Sequence, residues 1–176
     1  MKDAERRLSA RRPPPARGAL RVDVHTGVRA WAPGARDIAA WAGAAIGRRA
    51  AGGELGVRVV GSAESRRLNV RYRGKDKPTN VLSFAPAPLP AGPPASTARR
   101  GGEARPLGDL VICAPVVRSE ARAQRKPLEA HWAHLVVHGA LHLIGYDHEL
   151  EAQARRMERR EIAVLRRLGF PNPYSI

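Results

Sequence analysis

The chain has 176 residues, 43% hydrophobic and 27% charged, which is enough for one buried core and short for several domains. Its 31 basic and 16 acidic residues give a formal charge of +15, which favours a polyanionic partner; yet 27 of the 31 are arginine, a skew that genome-wide codon bias also produces, so charge alone does not establish nucleic-acid binding. The single cysteine, Cys113, excludes an intramolecular disulfide and suits a reducing cytoplasm, no apolar stretch approaches the ~20 residues of a membrane span, and Pro13-Pro14-Pro15 stands where a secretory signal needs an apolar run.

In chain order, residues 1–18 read as a disordered basic arm, and residues 19–176 as a single domain. Leu20 to His25 alternates apolar and polar residues like a half-buried strand. Pro33 then opens a helix through about Ile46. Val57 to Val60 is a predicted strand, and Ala63 to Tyr72 a helix entered at Ser62 as its N-cap. Val81 to Phe84 is the next strand, and Ala85 to Pro106, rich in proline, glycine and small residues, is a long loop. Leu107 to Cys113 makes a further strand with Cys113 buried, and Ala114 to Gln124 a helix.

Leu128 to Ile144 is apolar around its circumference (Trp132, Leu135, Val136, Val137, Leu141, Leu143), which predicts a central buried helix. The last helix, about Glu149 to Leu168, has Met157, Ile162 and Leu165 as core candidates, and Gly169 ends it. The fold class is therefore α+β, with about four strands in one mixed sheet packed against helices.

The stretch His138-Gly139-Ala140-Leu141-His142-Leu143-Ile144-Gly145-Tyr146-Asp147-His148 holds three of the six histidines. Residues four apart share a helix face, so His138 and His142 can aim two imidazoles at one ion. Gly145 suits the turn that ends the helix and can return His148 to the same point. Three imidazoles leave a fourth position for water, as in catalytic zinc sites. His134 is a rival ligand, but on a straight helix it lies about 12 Å along the axis from His142. It and His131 are taken as packing or supporting residues, and His25 is unassigned. The spacing is that of the extended zinc-peptidase pattern, except that Gly139 replaces the glutamate serving there as general base.

A second constellation runs from Leu68 through Arg73-Gly74-Lys75-Asp76-Lys77-Pro78-Thr79-Asn80 to Phe84. Between Arg66 and Lys77 six residues are basic and only Asp76 is acidic. Arg66, Arg67 and Arg71 read as a solvated face. A guanidinium at Arg73 has the donor geometry to hold phosphate oxygens, and Lys75 and Lys77 add charge beside it. Asp147 either orients a histidine or simply shapes its turn.

With these two motifs, and with Gly108 to Cys113 and Lys126 to His134, the chain resembles the YbeY family of bacterial endoribonucleases over roughly residues 55 to 170. The resemblance implies metal-dependent cleavage of single-stranded RNA in ribosomal RNA maturation and ribosome quality control, in the cytoplasm. It implies His138, His142 and His148 as ligands of one divalent ion, Zn2+ first among the candidates, and Arg73 as the functional arginine. The implied partners are rRNA precursors and the ribosome or its small-subunit proteins, with no membrane and no DNA. A ribosome-assembly factor with a structural ion and a metallopeptidase are the other readings, and Gly139 argues against the second.

Overall fold

The computed structural model describes residues 20–86, 104–147 and 150–175. The basic arm, most of the proline-rich loop, and His148 with Glu149 lie outside the described residues.

Four strands, β1 (Arg21–Thr26), β2 (Gly53–Val60), β3 (Val81–Phe84) and β4 (Arg105–Cys113), form one sheet in the order β1-β2-β4-β3. β1 pairs β2 in parallel, β2 pairs β4 in parallel, and β3 runs antiparallel to β4, so the sheet is mixed. The helices are α1 (Ala35–Ile46), α2 (Ser62–Arg73), α3 (Ala114–Ala123), α4 (Leu128–Leu143) and α5 (Glu151–Arg167), with a 3-10 turn at Gly47–Ala50. No helix among the described residues is long and apolar enough to cross a membrane.

Strand alternation sorts the core into two faces. Leu55, Val57 and Val59 of β2 and Leu110 and Ile112 of β4 join the main core with α1, α4 and α5, while Val60, Leu82, Val111 and Cys113 pack on the other side with Leu68 of α2 and Val116 of α3. The predicted central helix is α4: Trp132, Val136, Val137 and Leu141 are fully buried, each such side chain contributing about 1.5–3 kcal/mol.

Several predicted bounds shift for physical reasons. β2 begins at Gly53, four residues before the expected strand, because β1 and β4 pair with it on both sides and override its glycine-rich start. β4 begins at Arg105 with Pro106 inside it, at a position beyond the β3 ladder, which among the described residues spans only Asp109 to Ile112 of β4. Ser62 is the first residue of α2, not its cap; Gly61, with no side chain to cap the helix, occupies the cap position. On α5 the buried set is Met157, Glu161, Val164 and Leu165, with Ile162 only partly buried.

Candidate metal centre and cleft

α4 ends as its sequence requires. The Gly145 N–H donates to the His142 carbonyl at 3.0 Å and the Tyr146 N–H to the Leu141 carbonyl at 3.1 Å, with Gly145 at φ +91°. This pair of bonds is the glycine-dependent helix stop that sends the chain out of the helix axis immediately after His142.

His131, His134, His138 and His142 climb one side of α4, with successive ring centroids 6.3, 6.2 and 4.7 Å apart. The His131 Nε2 lies 2.9 Å from Glu120 Oε2, and Glu120 also accepts from the Asn80 side chain. Burial raises the Glu120 carboxyl pKa, but the bonds from His131 and Asn80 and the nearby imidazole charge outweigh it and hold the group below its usual 4.5.

Glu161 is 0% exposed and serves the upper half of the ladder. Its Oε1 is 2.7 Å from His138 Nδ1, its Oε2 is 3.4 Å from His134 Nε2, and the Tyr174 hydroxyl donates to the same carboxylate. Burial pushes Glu161 up, but the bonds from His134, His138 and Tyr174 win and depress it to about 2. Burial and the Glu161 charge in turn raise the Tyr174 hydroxyl above its ordinary range.

An ionised Glu161 fixes the tautomer of His138. Its Nδ1 carries the proton donated to the carboxylate, so Nε2 keeps its lone pair. That Nε2 lies 3.2 Å from His142 Nε2. Two nitrogens bound tetrahedrally to one zinc-sized ion at 2.0–2.1 Å stand about 3.3 Å apart, so the pair matches the bite of a single ion. His134, His138 and Glu161 form a second group able to hold a metal ion, with one donor atom from each lying within 4.8 Å of the others.

The His138–His142 pair opens into a cleft of about 650 Å³ whose walls include Arg73, Lys75, Asn80, Ser83 and Asp147. Arg73 is the last residue of α2, where Gly74, in the left-handed region at φ +66°, stops the helix at the rim. Lys77 does not line this cleft; its carbonyl accepts from the Asn69 side chain at 2.7 Å. Asp76 takes two 2.6 Å bonds from Arg66, which lowers its pKa and occupies it at the surface. His148 lies outside the described residues.

Gly139 has a packing reason. A Cβ there would stand 2.8 Å from Leu110 Cδ2 and 3.2 Å from Ser83 Oγ, so the position that carries glutamate in peptidases is pressed against the sheet here. Ser83 Oγ instead donates to the Gly139 carbonyl at 3.3 Å.

Motif spacing does not point to Glu161, Glu120 or Tyr174, and Asn80, though inside the Leu68–Phe84 constellation, has no role assigned by it. Only Glu161 left a signal, as an acid four residues after Met157 on the apolar stripe of an amphipathic helix.

Sheet, central helix and cleft together define an α+β protein that gathers imidazoles and cations at one opening. The family model described as Endoribonuclease YbeY matches residues 30–169. The endoribonuclease YbeY of Halorhodospira halophila (strain DSM 244 / SL1) is 56% identical over 144 residues, covering 82% of this chain and 89% of that protein. The solution structure of TM1509 from Thermotoga maritima (VT1, a NESGC target protein) aligns with a TM-score of 0.49 and 21% identity, covering 89% of this chain and 99% of that one. The chain belongs to the YbeY endoribonuclease family.

Proposed function

We propose that this chain is a cytoplasmic, single-strand-directed endoribonuclease that uses one divalent ion, Zn2+ first, and acts in ribosomal RNA maturation and ribosome quality control. The observation that carries the reading is convergence. Two imidazole nitrogens 3.2 Å apart open into a cleft that also holds Arg73 and Lys75, in a chain of this family. His138, His142 and, by its place in the motif, His148 would hold the ion.

Bound there, a divalent ion supplies Lewis acidity and lowers the pKa of water toward neutrality. The rest falls to the protein. Glu161 holds His138 in the tautomer that presents Nε2 to the cleft. Arg73 directs its fork of donors at the phosphate oxygens on which charge develops during cleavage. Lys75 seats the backbone within the cleft, and Lys77 acts on phosphates flanking it. The partners in this reading are single-stranded RNA, rRNA precursors, and the ribosome or its small-subunit proteins.

Purified wild type, His138→Ala and Arg73→Ala test the reading on single-stranded and duplex RNA, with metal content and folding measured for each. The expected result is single-strand cleavage lost in both variants, with metal lost only from His138→Ala. Stoichiometric metal and tight RNA binding without cleavage would instead identify an assembly factor with a structural ion.

A further inference from the structure

The cleft is one end of a longer track. It shares Asn80, Val81 and His138 with a neighbouring cavity, which shares His131, His134 and Lys126 with the next; that one shares Arg125 and Lys126 with a fourth cavity at the corner between α3 and α4. His142 lines the first cavity and Leu128 the last, which is about 21 Å along α4 at 1.5 Å per residue. The middle has apolar and ring surfaces, including Pro171, Pro173 and the 44%-exposed Tyr174. Glu120, the one acid lining it among the described residues, is engaged by Asn80 and His131.

The far end is cationic. Arg118 and Arg122 of α3, one turn apart, and Arg125 just beyond it line a cavity of about 420 Å³ whose walls contain no acidic residue among the described residues. Among the described residues none of the three is ion-paired. Arg125 is also the one non-glycine residue among them with positive φ, at +54°. Its N–H donates to the Arg122 carbonyl at 3.1 Å and the Lys126 N–H to the Ala121 carbonyl at 2.9 Å, the same helix stop that α4 makes with Gly145. An arginine therefore occupies a backbone position that glycine fits without strain.

We propose that Arg118, Arg122 and Arg125 form a distal phosphate anchor, holding the flank of a single-stranded RNA whose reacting phosphate sits in the cleft. The proposal rests on the ribonuclease reading for its ligand and adds a subsite to it. Unpaired cations track the RNA backbone, and the ring-lined middle accepts bases without regard to sequence. A purely structural role, cations favouring the C-terminal end of α3, makes a different forecast: loss of stability with no dependence on RNA length.

The test is equilibrium binding of the full chain to 2′-O-methyl phosphorothioate RNA, checked to remain uncut, as a tetranucleotide and a dodecanucleotide, across a salt series. Ordinary RNA is run in parallel for cleavage. The variants are Arg118→Ala/Arg122→Ala/Arg125→Ala, Arg125→Gly alone, and a charge-matched control, Arg159→Ala/Arg166→Ala/Arg167→Ala, whose residues line none of the four cavities. The anchor variant is expected to lose about 10- to 100-fold in dodecanucleotide affinity near 0.1 M salt and about 2 from the log–log salt slope, at about 0.7 per phosphate contact. Its tetranucleotide affinity should stay within about twofold, as should both affinities of the control. Arg125→Gly should weaken dodecanucleotide binding without lowering the melting temperature.

Equal losses in anchor and control variants, equal losses at both lengths, or no length dependence in the wild type would overturn the anchor. Length-dependent binding by the wild type without cleavage of ordinary RNA would sink the nuclease reading and leave the anchor standing. Intact cleavage with an anchor variant that binds normally would do the reverse.

Discussion

Replacing Glu161 is the most informative single change in the core. The carboxylate is fully buried and takes bonds from His138, His134 and the Tyr174 hydroxyl. Glu161→Ala strands all three donors, and removing one partner of a buried charged network costs about 3–5 kcal/mol. The depression of Glu161 from 4.5 to about 2 gives a similar figure, about 3 kcal/mol at 1.36 kcal/mol per pKa unit. A chain of this size then melts about 6–20 °C lower. Glu161→Gln keeps the shape and one acceptor but turns an amide donor on another donor, so an intermediate loss of about 1–3 kcal/mol is expected.

Two further readouts separate orientation from bulk stability. Zn2+ affinity measured by chelator competition should fall about 10- to 100-fold in Glu161→Gln, because a neutral amide oxygen holds the His138 tautomer less firmly than the carboxylate does. The stability gap between wild type and Glu161→Gln has a defined pH window. A carboxylate whose folded pKa is depressed stabilises above its unfolded pKa, so the gap is full above pH 4.5 and closes as pH falls toward 2. Chemical denaturation across that range and the metal titration read the two effects. A Glu161→Gln protein with wild-type stability and metal affinity would rule out this role for Glu161.

Other sites give shorter expectations. Gly145→Ala, at φ +91°, should cost about 1–2 kcal/mol by thermal melting and loosen metal binding, since the turn after His142 depends on that conformation. Arg73→Lys keeps the charge and loses the planar fork, so cleavage should fall about 10²-fold or more while RNA affinity moves far less; equal changes in both would make Arg73 a simple charge contact. Glu120→Gln should lose stability above pH 4.5 and converge with wild type as pH falls through the depressed Glu120 pKa, as read by denaturation at fixed pH steps.

Much of this fold is written in local pattern. β3 occupies Val81–Phe84 as predicted, and α4 ends within one residue of its expected bound because the apolar run and Gly145 act locally. The early starts of β2 and β4 were invisible because they depend on which strands lie beside them, not on their own residues. At the site, His138 and His142 are readable from helical spacing, and the structure brings them to 3.2 Å with Arg73 and Lys75 on the same cleft. Glu161 and Tyr174 were not, since they reach the ladder from 23 or more residues away through the packing of α5 and the C-terminal segment. The buried stripe of α5 runs through Met157, Glu161, Val164 and Leu165, so the acid sits on the apolar face while Ile162 beside it is only partly buried.

If one ion at the His138–His142 pair drives RNA cleavage, activity follows a metal titration. Metal-stripped wild type and His142→Ala would receive Zn2+ in steps, with cleavage of single-stranded RNA followed at each. Wild-type cleavage should rise from background and saturate at one equivalent, with His142→Ala folded and silent throughout. Full cleavage by the stripped wild type, or saturation by His142→Ala at the same equivalence point, would contradict it.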